Sequence, residues 1–206
     1  MNEEKLGCAI EDYEKALEFC EKTHGSDLKR IDSLNGLMKD FDSFFYEYVY
    51  VVLASGFRAK IAARLCPLIV KCEGDMEKMT EIFRNQRKLN AISEIWKKKE
   101  NWSEFRATLT TVDSLADLPF IGNITKYHLA RNIGLMSCAK PDVHMVRWCC
   151  EKFGKEDEAL VGKVTDAIAK RKGKKQGTVD FALWVWLSHQ RGSLEAECCH
   201  GGYALR

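Results

Sequence analysis

Apolar residues recur at helical spacing along nearly the whole chain, and this pattern restricts it to a helical architecture. Over residues 3–22 the series Leu6, Ile10, Tyr13, Leu17 and Cys20 falls on one helical face. Ser26-Asp27 is placed to start a second helix reaching about Asp40. Residues 42–53, DSFFYEYVYVVL, are so dense in aromatic and β-branched side chains that period alone does not separate a buried helix from a strand. The helical surroundings favour a helix ending near Ala54. After Ser55-Gly56, helical patterns resume over 57–70, 76–85 and 89–99, the last closed by Lys97-Lys98-Lys99-Glu100-Asn101. A short helix fits 114–118, with Thr110 and Asp113 spaced like a capping box. Further helices fit 123–133, ended by Gly134, then 143–153, 157–171 and 179–189. Only 3 prolines interrupt all this, so an all-α fold is expected.

The formal net charge is +2, from 32 basic and 30 acidic residues. Binding to a polyanion must therefore come from a local basic face and not from the global field. The 9 cysteines include the adjacent pairs Cys149-Cys150 and Cys198-Cys199, which do not suit a disulfide framework, and no secretory signal opens the chain. A reducing intracellular compartment, cytoplasm or nucleus, is expected. No apolar run is long enough to span a membrane.

The informative segment is residues 115–148, LADLPFIGNITKYHLARNIGLMSCAKPDVHMVRW. It reads as a short helix, a tight glycine-containing turn, a second helix, a connection broken by Lys140-Pro141, and an aspartate opening a third helix. Leu118, Pro119, Ile121, Gly122 and Thr125 resemble the hairpin of the helix-hairpin-helix DNA glycosylase superfamily, to which endonuclease III and 8-oxoguanine glycosylase belong. Asp142 stands 20 residues after Gly122, as in endonuclease III-type members, and Asp142-Val143-His144-Met145 is similar to the 8-oxoguanine glycosylase form. Val51-Val52-Leu53-Ala54-Ser55 resembles the family helix ending in Leu-Leu-Ser before a DNA-facing loop. The stretch from Phe83 to Ile92 resembles the family's run of asparagine, a basic residue and isoleucine.

The resemblance implies a DNA glycosylase of base excision repair, acting on double-stranded DNA as a monomer. In that reading the hairpin grips the phosphate backbone, with Gly122, Asn123 and Thr125 at the contact. The carbonyls of Ala116, Leu118 and Ile121 would hold a monovalent cation, K+ or Na+. Asp142 is then the catalytic carboxylate as well as a helix N-cap. A helix N-terminus favours the ionised form, which can stabilise the positive charge that develops as a base leaves. Phe57 or Arg58 would wedge into DNA, and His144 and Arg147 would touch backbone or order the carboxylate.

The chain departs from the family pattern in three places. Bifunctional members carry a nucleophilic lysine two residues after the second hairpin glycine, where this chain has Ile124. Lys126 lies two residues further on, about 200° around the helix, so it serves only as a displaced nucleophile. A monofunctional enzyme using water is favoured. Phe120 replaces the first hairpin glycine, and a bulky residue resists positive φ, so a reshaped turn is expected, with core packing the ordinary reading of Phe120 and a surface aromatic near DNA the other. The Cys198-Cys199-His200 tail cannot reproduce the spaced cysteines of the iron–sulfur members, so no cluster is expected, and zinc would need further ligands. Phe181, Trp184 and Trp186 read as core, with one of them available to stack on a flipped base.

Two helical subdomains follow from this. One combines 1–55 with 139–206, and the other, 56–138, is a helical barrel with the hairpin at 113–133; Asp142 is expected at a cleft between them. Two other function classes stay open: a DNA-binding module without chemistry, and a base-modifying enzyme on the glycosylase scaffold.

Overall fold

In a computed structural model the described residues are 2–57 and 59–198, with side chains to 190, and they form helices and connecting turns without strands. The contacts divide the chain into two units, Met1–Ser33 with Cys138–Arg206, and Leu34–Ser137.

The first unit is built from α1 (Glu3–Ser33), α8 (Val143–Phe153), α9 (Glu158–Lys172) and α10 (Gln176–Cys198). The α1 stripe read from the sequence buries Leu6, Tyr13 and Cys20 against Trp148 of α8, Val164 and Ile168 of α9, and Val179 and Leu183 of α10. At His24 the backbone leaves helical geometry (φ −139°, ψ 31°). That kink lies where the sequence separates two helices, but the second half ends at Ser33, short of Asp40. Asp12 is buried beneath this core, accepting the Trp148 indole N–H at 3.0 Å and pairing with Lys152 at 2.7 Å. Gly154 and Gly173 close α8 and α9 in the left-handed conformation. The basic run 170–175 is exposed along most of its length. Three of its residues pair with acids: Lys170 with Asp166, Arg171 with Glu3 and Lys172 with Glu14.

The second unit contains α2 (Phe41–Ala54), α3 (Ala59–Val70), α4 (Met76–Ile82), α5 (Gln86–Trp96), α6 (Trp102–Thr108), a 3₁₀ turn (Asp113–Asp117) and α7 (Thr125–Asn132). α2 is buried on nearly all sides, as its composition requires. Its Phe41, Phe44 and Phe45 form an aromatic cluster with Trp96, Trp102 and Phe105. Residues 34–55, which the sequence places with the termini, therefore belong here: the aromatic face of α2 finds its partners on α5 and α6. Helix α6 was not anticipated. Its three apolar contacts, Trp102, Phe105 and Leu109, are too few for a periodic signal, and its cap Asn101 makes no side-chain capping bond.

Candidate active site and hairpin

Asp142 sits in the first unit, on the connection 138–142 that follows the break at Pro141. Its backbone is extended (φ −84°, ψ 174°), as an N-cap requires. Oδ1 accepts the N–H groups of His144 at 3.0 Å and Met145 at 3.2 Å. Oδ2 faces the Lys140 ammonium at 3.0 Å, and the Asp142 side chain is only 13% exposed. Lys140 is itself fixed from α10. Its backbone N–H donates to the buried Asp180 carboxylate at 3.1 Å, and its Nζ lies 5.6 Å from the Trp184 ring, one turn further along the same helix. The carboxylate thus has one oxygen on the helix amides and the other on a cation. His144 is half-buried next to it, and Arg147 is exposed on α8.

Sequence reasoning missed Lys140 and Asp180. The signal was present: Asp180 is the one acid in the apolar run VDFALWVWLSH, and a buried carboxylate demands donors.

The hairpin lies in the second unit. Ile121 N–H donates to Leu118 O at 3.1 Å, with Pro119 at the second position and Phe120 at φ +64° in the third. This is the type II turn pattern, which places positive φ at its third residue and normally glycine there. The turn is therefore kept and not reshaped. Phe120 takes the glycine conformation and the residue is 39% exposed, so it is not packed in the core and is the surface aromatic that the sequence allowed as the other reading. Gly122 carries no positive φ, and a Cβ there would meet only Thr125 Oγ1, at 4.0 Å. Its N–H donates to that hydroxyl at 2.7 Å, and its carbonyl accepts Lys126 N–H at 3.0 Å to open α7. The amides of Asn123, Ile124 and Thr125 precede this first helical bond. From below, the buried Tyr48 hydroxyl donates to Pro119 O at 2.5 Å. The preceding turn is capped one residue later than the sequence suggests. Ser114 N–H donates to Thr111 Oγ1 and Thr111 N–H to Ser114 Oγ, because these two hydroxyls satisfy each other's amides.

Lys126 Nζ is held by Asp113 Oδ1 at 2.8 Å, and that hydrogen bond raises its pKa. An amine kept as an ammonium is a poor nucleophile. Ile124 has no amine to offer. Arg58 lies outside the described residues.

Phe57 follows α2 and is 44% exposed. Its ring centroid is 4.4 Å from Lys88 Nζ, and the Phe120 ring is 5.5 Å from the same nitrogen. Lys88 is 2% exposed and donates to Leu53 O at 3.0 Å and Ser55 O at 2.6 Å, closing the C-terminal end of α2. Burial pulls its pKa down from 10.5 to about 8. The unfolded chain then holds this proton more tightly than the folded one. The burial penalty is full below pH 8 and fades as pH rises toward 10.5. Cys20, Cys66, Cys149 and Tyr13, each pushed up to about 12 by burial, act in the opposite sense above about pH 9. A difference measurement separates them. Between pH 8 and 10.5, the stability of wild type relative to Lys88→Met should rise by about 1–3 kcal/mol, read from urea midpoints at fixed pH. A difference that stays flat with pH would mean the amine is not desolvated.

No family model and no curated protein sequence matches the chain. Solved structures do. The 8-oxoguanine DNA glycosylase of Thermotoga maritima superimposes with a TM-score of 0.67 over 87% of this chain and 95% of its own, at 18% identity. The Methanocaldococcus jannaschii 8-oxoguanine glycosylase/lyase, solved in complex with a 15mer DNA containing 8-oxoguanine, gives 0.64 over 82% and 94%, at 16% identity. A further structure of the M. jannaschii enzyme gives 0.64 over 94% and 95%, at 15% identity. The chain has the fold of the helix-hairpin-helix DNA glycosylases. That glycosylase fold is the all-α architecture expected from the sequence. Among the described residues, none of its helices is long and apolar enough to cross a membrane.

Proposed function

We propose that this chain is a DNA glycosylase that releases a damaged or modified base from duplex DNA, with Asp142 as its catalytic carboxylate. The observation that carries the reading is the state of Asp142. It is a largely buried acid with one oxygen on two helix amides and the other on Lys140, in a chain with the glycosylase fold. Such a carboxylate is fixed before reaction, so it stabilises positive charge developing on the sugar without reorganising. The target nucleotide is flipped, the base departs through an oxocarbenium-like state, and water takes its place. Water is the acceptor in this reading because the family's nucleophile position is Ile124, Lys126 is paired with Asp113, and Lys140 is paired with Asp142 itself.

The hairpin serves as the backbone grip. The amides at Asn123 and Ile124 meet a phosphate, while Thr125 holds Gly122 in place. His144 and Arg147, at the start and middle of α8, add backbone contacts. The carbonyls of Ala116, Leu118 and Ile121 are the ones that would hold a monovalent cation. The turn keeps the conformation glycine would give, and the bond from Ile121 N–H uses only one of the two lone pairs on Leu118 O. A bound K+ or Na+ there would offset phosphate charge.

The neighbours' substrate sets the first lesion to test. The purified protein is incubated with duplexes carrying 8-oxoguanine, other oxidised bases, deaminated bases and alkylated bases, then treated with alkali or borohydride. The expected result is alkali-labile strand breaks from at least one lesion and no covalent borohydride adduct. Tight binding with no alkali-labile site from any lesion overturns the reading and leaves a DNA-binding module. An altered base retained on its sugar would indicate a base-modifying enzyme. An adduct overturns the water mechanism, and Lys140, whose amine lies beside Asp142, is then the first lysine to replace.

A further inference from the structure

The pairing of Lys140 with Asp142 is built by the backbone between them. Asp142 N–H donates to Lys140 O at 2.8 Å, closing a three-residue turn around Pro141, whose fixed φ suits that turn. The turn sets the two flanking side chains alongside each other, with Nζ 3.0 Å from Oδ2. Asp180 holds the Lys140 N–H, so the chain is fixed on the lysine side as well. The pair is sheltered but not sealed: the Lys140 side chain is 19% exposed and that of Asp142 13%. An ammonium carries three N–H donors. Among the described residues its partners are one carboxylate oxygen and, at 5.6 Å, the face of the Trp184 ring, which leaves N–H capacity for whatever enters. A cation beside Asp142 is a handicap if the carboxylate is there only to meet a positive sugar, because the two positive charges repel. Heterolysis of a glycosidic bond, however, makes two charges. The sugar becomes positive, and the departing base takes the electron pair. A carboxylate and an ammonium side by side oppose that separating pair charge for charge.

We propose that Lys140 is a second catalytic residue, whose ammonium donates an N–H to the departing base and stabilises the negative charge it carries away. This deepens the DNA glycosylase reading and rests on it. The glycosidic C–N bond breaks, and its electron pair leaves with the base. A water oxygen then bonds to the sugar carbon. The water's proton is taken by Asp142 and passed to the base, and Lys140 stays an ammonium throughout. A lysine that keeps its proton is no nucleophile, in keeping with water as the acceptor.

The test compares two duplexes that have no base to release. One carries a pyrrolidine abasic analogue, whose cationic ring nitrogen mimics the sugar after the base has left. The other carries the neutral tetrahydrofuran analogue. Wild type should prefer the pyrrolidine duplex, and Asp142→Asn should lose that preference. Lys140→Met removes the like charge, so its preference for the pyrrolidine duplex should exceed that of wild type by at least about threefold. In single-turnover reactions on whichever lesion duplex wild type acts on, Lys140→Met should release base about 100-fold more slowly. Lys140→Arg keeps the charge and should recover most of the rate. Tighter binding of the cation mimic together with slower release sets the proposal apart from a structural role, since a lysine that only holds Asp142 in place would weaken both when removed. A fold defect cannot tighten binding either. A preference that falls in Lys140→Met, or release at the wild-type rate, overturns the proposal. So does an equal loss of affinity for both duplexes with a shallower salt dependence, which would make Lys140 a phosphate contact. Failure of the glycosylase reading looks different: wild type shows no preference between the two duplexes, and no lesion yields an alkali-labile site.

Discussion

Asp142→Asn should slow base release by about 100- to 1000-fold in single-turnover reactions on the lesion duplex found active, with DNA affinity close to wild type. The size follows from the loss of one preorganised charge at a developing cation, about 3–4 kcal/mol. Asparagine caps helices as well as aspartate does, and its carbonyl oxygen can accept from His144 and Met145 as Oδ1 does now. The fold should therefore survive. The ion pair to Lys140 is lost, leaving that ammonium opposite a neutral amide at a site only 19% exposed. A stability loss on the order of 1 kcal/mol is expected from this. Asp142→Ala removes the cap as well and should cost about 1 kcal/mol more. Wild-type rates in the asparagine variant would remove Asp142 from the chemistry and leave it a cap.

Asp142 could be found from the sequence because its signals are local: a proline break, an N-cap residue type and a fixed spacing from the hairpin. Most helices were legible for the same reason, through periodicity and punctuation within a few residues. What escaped depends on partners distant in the chain. Asp180 reaches Lys140 from 40 residues away and Trp184 from further, and no local pattern joins them. The placement of α2 turned on aromatic partners at Trp96, Trp102 and Phe105, which fixed its unit against the expected boundary. Lys88 reads on the sequence as one more surface lysine between Arg87 and Leu89, and only the carbonyls at the end of α2 make it a buried anchor. Phe120 misled in the opposite direction. Its size argued for the core, but the turn around it, set by Pro119 and the Leu118–Ile121 bond, imposed positive φ and exposure.

Gly134→Ala should destabilise the protein by about 4 kcal/mol, and lower the melting temperature by more than about 15 °C if the second unit melts cooperatively. The sequence supplies one reason, since Gly134 ends the hairpin helix at φ +75°. That alone costs an alanine about 1–2 kcal/mol. The structure supplies a larger one: a Cβ at 134 would lie 2.4 Å from the Gly36 carbonyl oxygen, a backbone atom. That backbone has little room to yield. Met38 N–H is tied to Ile133 O at 2.9 Å, Arg106 donates to the carbonyls of Met38 and Leu37, and the Trp102 indole donates to Lys39 O at 2.7 Å. Relieving the clash would break these bonds or displace the end of α7, and with it the hairpin that α7 carries. Gly56→Ala isolates the conformational share. Gly56 has φ +73° in the same unit, and nothing stands within 4 Å of a Cβ there, so about 1–2 kcal/mol is expected. Equal melting temperatures for the two variants would show that the 34–39 segment does not pack against the end of α7 in solution. A large gap between them, with DNA binding weakened only in Gly134→Ala, would tie the grip of the hairpin to this one close approach of backbone on backbone.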